Sequence, residues 1–86
     1  MPQVVKCGLI QTSMACAVEE PLATIREANL AKTVAYIEQA AREGVQVLCM
    51  QEIFTAPYFC AEQNPRWYDS VERIPDGPTV RLMQEL

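Results

Sequence analysis

Eighty-six residues, half of them hydrophobic, suit one small domain at most, and a chain this short buries only about 60–65% of its unfolded surface. Seven Lys and Arg against eleven Asp and Glu leave a formal charge of −4, with the basic residues scattered from Lys6 to Arg81, which argues against nucleic acid as a partner. No apolar run reaches the roughly 18–20 residues that span a bilayer, and the first six residues lack a basic segment leading into an apolar one, so no membrane partner is expected and the cytoplasm is the expected location.

The run VVKCGLI, residues 4–10, mixes β-branched and apolar side chains and ends at the polar cluster Gln11, Thr12, Ser13, which predicts a first strand. Residues 14–23 carry Glu19, Glu20 and Pro21 without a clear period and read as a connecting loop. Thr24-Ile25-Arg26-Glu27 then fits a capping box, in which the threonine hydroxyl accepts from a first-turn amide and the glutamate reaches back. Leu30, Val34, Ile37 and Ala41 follow on one helical stripe, opposed by Lys32, Glu38, Gln39 and Arg42, predicting a helix over residues 24–43 that Gly44 closes in the left-handed conformation.

VQVLCM, residues 45–50, comes straight after and is nearly continuous in apolar character, as expected of a strand covered on both faces. Strand, helix and strand joined by short loops imply a right-handed βαβ crossover with parallel strands, and the class is α/β. From Gln51 onward the aromatics, Pro57 and Pro65 describe a long loop with one helical turn near residues 67–71; loops of this length in compact domains usually serve function. Trp67 and Tyr68 are assigned to packing of that loop, while Glu62, Gln63 and Arg66 suit either polar contacts or a solvated loop. Asp76-Gly77-Pro78-Thr79 reads as a second helix entry with Pro78 in the first turn, and Val80, Leu82, Met83 and Leu86 begin a new apolar face. That helix stops without a glycine cap, so the chain reads as the amino-terminal portion of one larger domain, residues 1–86.

The four cysteines, Cys7, Cys16, Cys49 and Cys60, form no C-x-x-C pair, and the chain has no histidine, so neither a disulfide framework nor a zinc site is expected. Cys7 and Cys49 lie inside apolar runs and are expected to be reduced and buried.

In open α/β sheets ligands bind beyond the carboxyl ends of the strands, and Glu52 stands immediately past the second strand. A partly desolvated carboxylate there can accept a proton from a nucleophile or water; the position equally suits a solvated or helix-capping glutamate.

The run LCMQEIF, residues 48–54, followed by PYFCAEQ, residues 57–63, resembles the first catalytic segment of the nitrilase superfamily of carbon–nitrogen hydrolases. IPDGPT, residues 74–79, resembles the segment after it, and residues 5–11, the helix bearing Asn29, and Gly44 fall in matching order, so the likeness covers nearly the whole chain. It implies the amino-terminal part of a four-layer α-β-β-α sandwich and a Glu-Lys-Cys catalytic set. Amide, nitrile or N-carbamoyl substrates, no metal or organic cofactor, and a homodimer or larger assembly are also implied.

By this resemblance Glu52 is the general base, taking the thiol proton and later activating the hydrolytic water. Lys6 and Lys32 precede Glu52, whereas the family's lysine and cysteine follow the glutamate, and Cys60 lies on the wrong segment for the nucleophile. The 86 residues alone are therefore expected to be inactive. QEIFTAPYFCAEQ with IPDGPT looks most like the β-ureidopropionase and N-carbamoyl amidase branch, which points to N-carbamoyl-β-alanine or, alternatively, N-carbamoylputrescine or another aliphatic amide. On that reading Tyr58 and Phe59 form an aromatic wall for the substrate, although such a pair equally serves loop anchoring. Two rivals remain open. One is a non-catalytic interaction module; the other, an unrelated doubly wound domain, is disfavoured because residues 11–16 contain no glycine for a phosphate loop.

Overall fold

A computed structural model describes residues 3–58 and 63–86. Strand β1 (Cys7–Ile10) and strand β2 (Val47–Met50) pair in parallel, with Cys7 opposite Val47 and Ile10 opposite Met50. Helix α1 (Leu22–Arg42) forms the crossover between them, so the βαβ unit expected from the sequence is present. The β1 strand is shorter than the apolar run, but pairing starts ahead of it: the Lys6 carbonyl accepts from the Gln46 amide at 2.8 Å and the Lys6 amide donates to Gln46 Oε1 at 3.0 Å. The Lys6 ammonium reaches the Glu43 carbonyl, tying the helix exit to the same point.

The start of α1 corrects the capping-box expectation. The N-cap is Pro21, at φ −55° and ψ 148°, with no side-chain cap hydrogen bond, and its carbonyl accepts the first helical bond from Ile25 N at 3.0 Å. Proline's fixed φ presets the backbone for the turn, so the helix begins two residues early and Thr24 is already inside it, exposed. The exit follows the expectation. Gly44 takes φ 76°, its amide donates to Ala41 O at 3.1 Å and the Val45 amide to Ala40 O at 3.0 Å, the paired bonds of a Schellman close.

The inward face of α1 is also wider than the apolar stripe. Ile25, Asn29, Leu30 and Thr33 are its buried residues, Val34 and Ile37 are half-buried, and Ala41 is exposed. Two polar residues in that face call for internal partners, and Asn29 has them, as described below.

Helix and sheet meet on one side of the sheet only. Ile10 is buried and Gly8, Leu48 and Met50 are half-buried on the inner side. A Cβ on Gly8 would stand 3.2 Å from both Leu48 Cδ1 and Val45 Cγ1, so a larger residue would press the inner layer apart. On the outer side Leu9 is 84% and Val47 56% exposed, and Cys7 and Cys49 are exposed with them. The expectations of a doubly covered β2 and of buried cysteines are thereby corrected. The strand period of two places alternate residues outward, and no described element covers that side. The three described cysteines are free thiols; Cys60 lies outside the described residues.

The expected helical turn in the long loop is a 3-10 helix, Pro65–Ser70, which begins two residues and ends one residue before its sequence estimate. Asn64 caps it through a bond from the Arg66 amide to Oδ1 at 3.0 Å, and Trp67, 5% exposed, packs the helix onto α1. The Arg66 guanidinium lies 4.4 Å above the Trp67 ring and donates to the Val18 and Glu20 carbonyls at 3.1 and 3.0 Å, fastening the loop ahead of α1.

Helix α2 (Pro78–Glu85) begins at Pro78 after the N-cap Gly77. Its first turn is held from outside the helix, where Glu72 accepts from the Thr79 amide and hydroxyl at 2.7 Å each. None of its residues is buried. The radius of gyration is 14.9 Å, against roughly 12 Å for a compact chain of this length, consistent with a thin core of Ile10, Ile25, Leu30 and Trp67.

Candidate active site

Two segments leave the sheet at the carboxyl ends of β1 and β2, residues 11–15 and 51–58, and between them lies a cleft of about 340 Å³. Gln11, Thr12, Ser13 and Met14 line it from the first segment, and Gln51, Glu52, Ile53, Phe54, Ala56, Pro57 and Tyr58 from the second. Asn29 closes it from α1. Parallel strands send both carboxyl ends to one edge, so a single crossover suffices to bring two loops together there.

Glu52 is the one ionisable carboxylate in this lining, and it is exposed. The expected partial desolvation is therefore not present among the described residues. Tyr58 lies in the same lining, 67% exposed. Phe59 lies outside the described residues. Among the described residues the lining holds no lysine, cysteine or histidine, so Glu52 has a cleft but no thiol or ammonium in it.

The polar links across this cleft were not anticipated from the sequence. Asn29 Oδ1 accepts from the Ala15 amide at 3.0 Å, while its Nδ2 donates to the Thr55 carbonyl at 3.3 Å and contacts Met14 Sδ at 3.5 Å. Gln51, the residue before Glu52, accepts at Oε1 from the Thr12 amide at 2.9 Å and hydroxyl at 3.4 Å. Lys32 donates to the Ser13 carbonyl at 2.8 Å and to Ser13 Oγ at 3.3 Å, which commits that ammonium to the first loop. A signal for the first of these existed: Asn29 falls midway between Ile25 and Thr33 at i+4 spacing, a carboxamide inside the buried stripe.

Trp67, Asp69, Ser70, Thr55, Ile25 and Arg26 border a second, smaller hollow of about 150 Å³ between the 3-10 helix and α1. No group of three or more His, Cys, Asp or Glu among the described residues is placed to hold a metal ion, and no described helix is long and apolar enough to cross a membrane.

A parallel βαβ unit with a carboxylate in a strand-end cleft is the arrangement of an α/β small-molecule site. Residues 8–86 match the carbon–nitrogen hydrolase family model, and the chain belongs to that family, the nitrilase superfamily. It is similar to the β-ureidopropionase of Arabidopsis thaliana, 34% identical over 85 residues that make up 99% of this chain and 21% of that protein. It is 36% identical to the citrullinase of Francisella tularensis subsp. tularensis over 58 residues, 67% of this chain and 20% of that protein. It is 29% identical to the N-carbamoylputrescine amidase of Solanum lycopersicum over 58 residues, 67% of this chain and 19% of that protein. The chain thus spans about a fifth of the length of the curated relatives it matches. No solved structure matches it significantly.

Proposed function

We propose that the whole protein hydrolyses a terminal ureido group, with N-carbamoyl-β-alanine the foremost substrate, and that Glu52 is its general base. The observation that carries this reading is the position of Glu52, two residues beyond β2 in the strand-end cleft of a chain that belongs to the carbon–nitrogen hydrolase family. The three relatives are named for substrates that share a carbamoyl group on an amine nitrogen, which supports the ureido class over simple amides.

In this reading a cysteine thiol and a lysine, as the family resemblance implies, come from outside these 86 residues. The Glu52 carboxylate takes the thiol proton as sulfur attacks the carbonyl carbon, then returns it to the nitrogen that departs as the C–N bond breaks. Water, deprotonated by the same carboxylate, releases the remaining acyl group from sulfur. The sum is ureido compound plus water giving amine, carbon dioxide and ammonia. Tyr58 and Phe59 form the aromatic side of the substrate site, and no metal or organic cofactor takes part.

The outer face of the sheet, with Leu9, Val47, Cys7 and Cys49 uncovered, suits the second sheet of a four-layer α-β-β-α sandwich. An N-carbamoylputrescine amidase activity is the alternative within the class. Ammonia release by the whole protein from N-carbamoyl-β-alanine and from N-carbamoylputrescine tests both. Faster turnover of the first is expected, faster turnover of the second selects the alternative, and release from neither overturns the ureido reading.

A further inference from the structure

The least exposed polar side chain lining the cleft is the carboxamide of Asn29. At 5% exposure it spends its acceptor on the Ala15 amide of the loop after β1 and its donor on the Thr55 carbonyl of the loop after β2. One side chain thus binds both walls. Gln51 makes a second bond between the same walls, from the residue bonded directly to Glu52, by accepting from the Thr12 amide at 2.9 Å. The two links meet the second loop on opposite sides of Glu52, at residues 51 and 55, and meet the first loop at residue 12 through Gln51 and at residue 15 through Asn29.

Glu52 itself is exposed, so burial does not hold its backbone in place. Loops at the end of a two-stranded sheet are mobile unless tied, and a general base displaced by about 1 Å loses on the order of a hundredfold in rate. We propose that Asn29 and Gln51 are positioning residues for Glu52, acting as two carboxamide struts that set the spacing of the cleft walls and hence the reach of the carboxylate. The proposal rests on the reading of Glu52 as general base. The chemistry at position 29 requires a carboxamide specifically. A carboxylate there would keep the acceptor for the Ala15 amide but present a second acceptor to the Thr55 carbonyl, turning one strut into a repulsion while changing the volume hardly at all.

The test uses the whole protein, with kinetics expressed per folded molecule from circular dichroism. Asn29→Asp and Gln51→Met are each expected to lower kcat about ten- to hundredfold with KM within threefold of wild type, because the misplaced group is the base and not the substrate pocket. A kcat within twofold of wild type in a folded variant of either overturns the proposal, as does a loss that only mirrors the folded fraction. Hydrogen exchange on the unaltered protein gives a second reading that needs no variant. The Thr12 and Ala15 amides should exchange as slowly as those within β2, and fast exchange at either overturns the strut assignment. Glu52→Gln separates the two claims: if it leaves turnover intact, the base assignment fails whatever the struts do, and if it silences turnover while Asn29→Asp and Gln51→Met do not, the struts alone fail.

Discussion

Tyr58 and Asn29 line the same cleft but stand in opposite physical situations, and substitutions should separate them. With Tyr58 67% exposed, Tyr58→Ala should change folding stability by no more than about 0.5 kcal/mol. If the ring contacts substrate, KM should rise several-fold with kcat little changed; an unaltered KM would return Tyr58 to loop anchoring. Gly77 illustrates a constraint of another kind. It is buried, its amide donates to the Arg73 carbonyl at 2.8 Å, and an added Cβ would run into that same carbonyl and come within 3.1 Å of Glu72 Cβ. Backbone has no alternative rotamer to offer, so Gly77→Ala should pull Glu72 off the α2 cap and cost on the order of 1–3 kcal/mol, read as a lower urea midpoint for the whole protein. Glu52 was legible as a candidate because sequence order places it past a strand within a run that resembles a family segment, and Tyr58 only through that resemblance. The partners of Asn29 and Gln51 were not, since a hydrogen bond between residues 29 and 55 or 51 and 12 depends on where the crossover delivers each loop.

At the scale of elements, the two ends of α1 make contrasting predictions. Gly44 at φ 76° has nothing within 4 Å of a would-be Cβ, so Gly44→Ala carries only the cost of a left-handed L-residue, about 1 kcal/mol. Thr24→Ala, by contrast, should be close to neutral, where a genuine capping box would give a loss of about 1 kcal/mol. Parallel urea titrations of the two variants distinguish a proline-initiated helix from a threonine-capped one. The sequence made α1, its glycine exit and both strands readable, because periodicity and the Gly44 signal are local. It misread the start since both Pro21 and Thr24 are acceptable beginnings, and only the bond from Ile25 to the Pro21 carbonyl chooses between them. Ile25, 1% exposed, is the side chain on which the helix's packing chiefly rests, and Ile25→Ala should cost about 2–5 kcal/mol.

For the whole molecule, continuous apolar character in β2 suggested cover on both faces, and local pattern could not say how many elements would supply it. The answer among the described residues is one, which leaves Leu9, Val47 and the Cys7 and Cys49 thiols outward and α2 without a buried residue. These 86 residues expressed alone should therefore associate with rising concentration in sedimentation experiments and should release no ammonia from a ureido substrate, the cleft having a carboxylate and no thiol. A sharp, cooperative thermal transition from a monomer would contradict the first expectation. The central claim, that the carboxylate past β2 is the general base, is tested most directly by Glu52→Gln in the whole protein, a change of one atom that keeps size and polarity. Ammonia release from N-carbamoyl-β-alanine should fall by about 10²- to 10⁴-fold with folding unaffected, as expected for an exposed side chain. A Glu52→Gln protein that turns over within a few-fold of wild type would contradict the account.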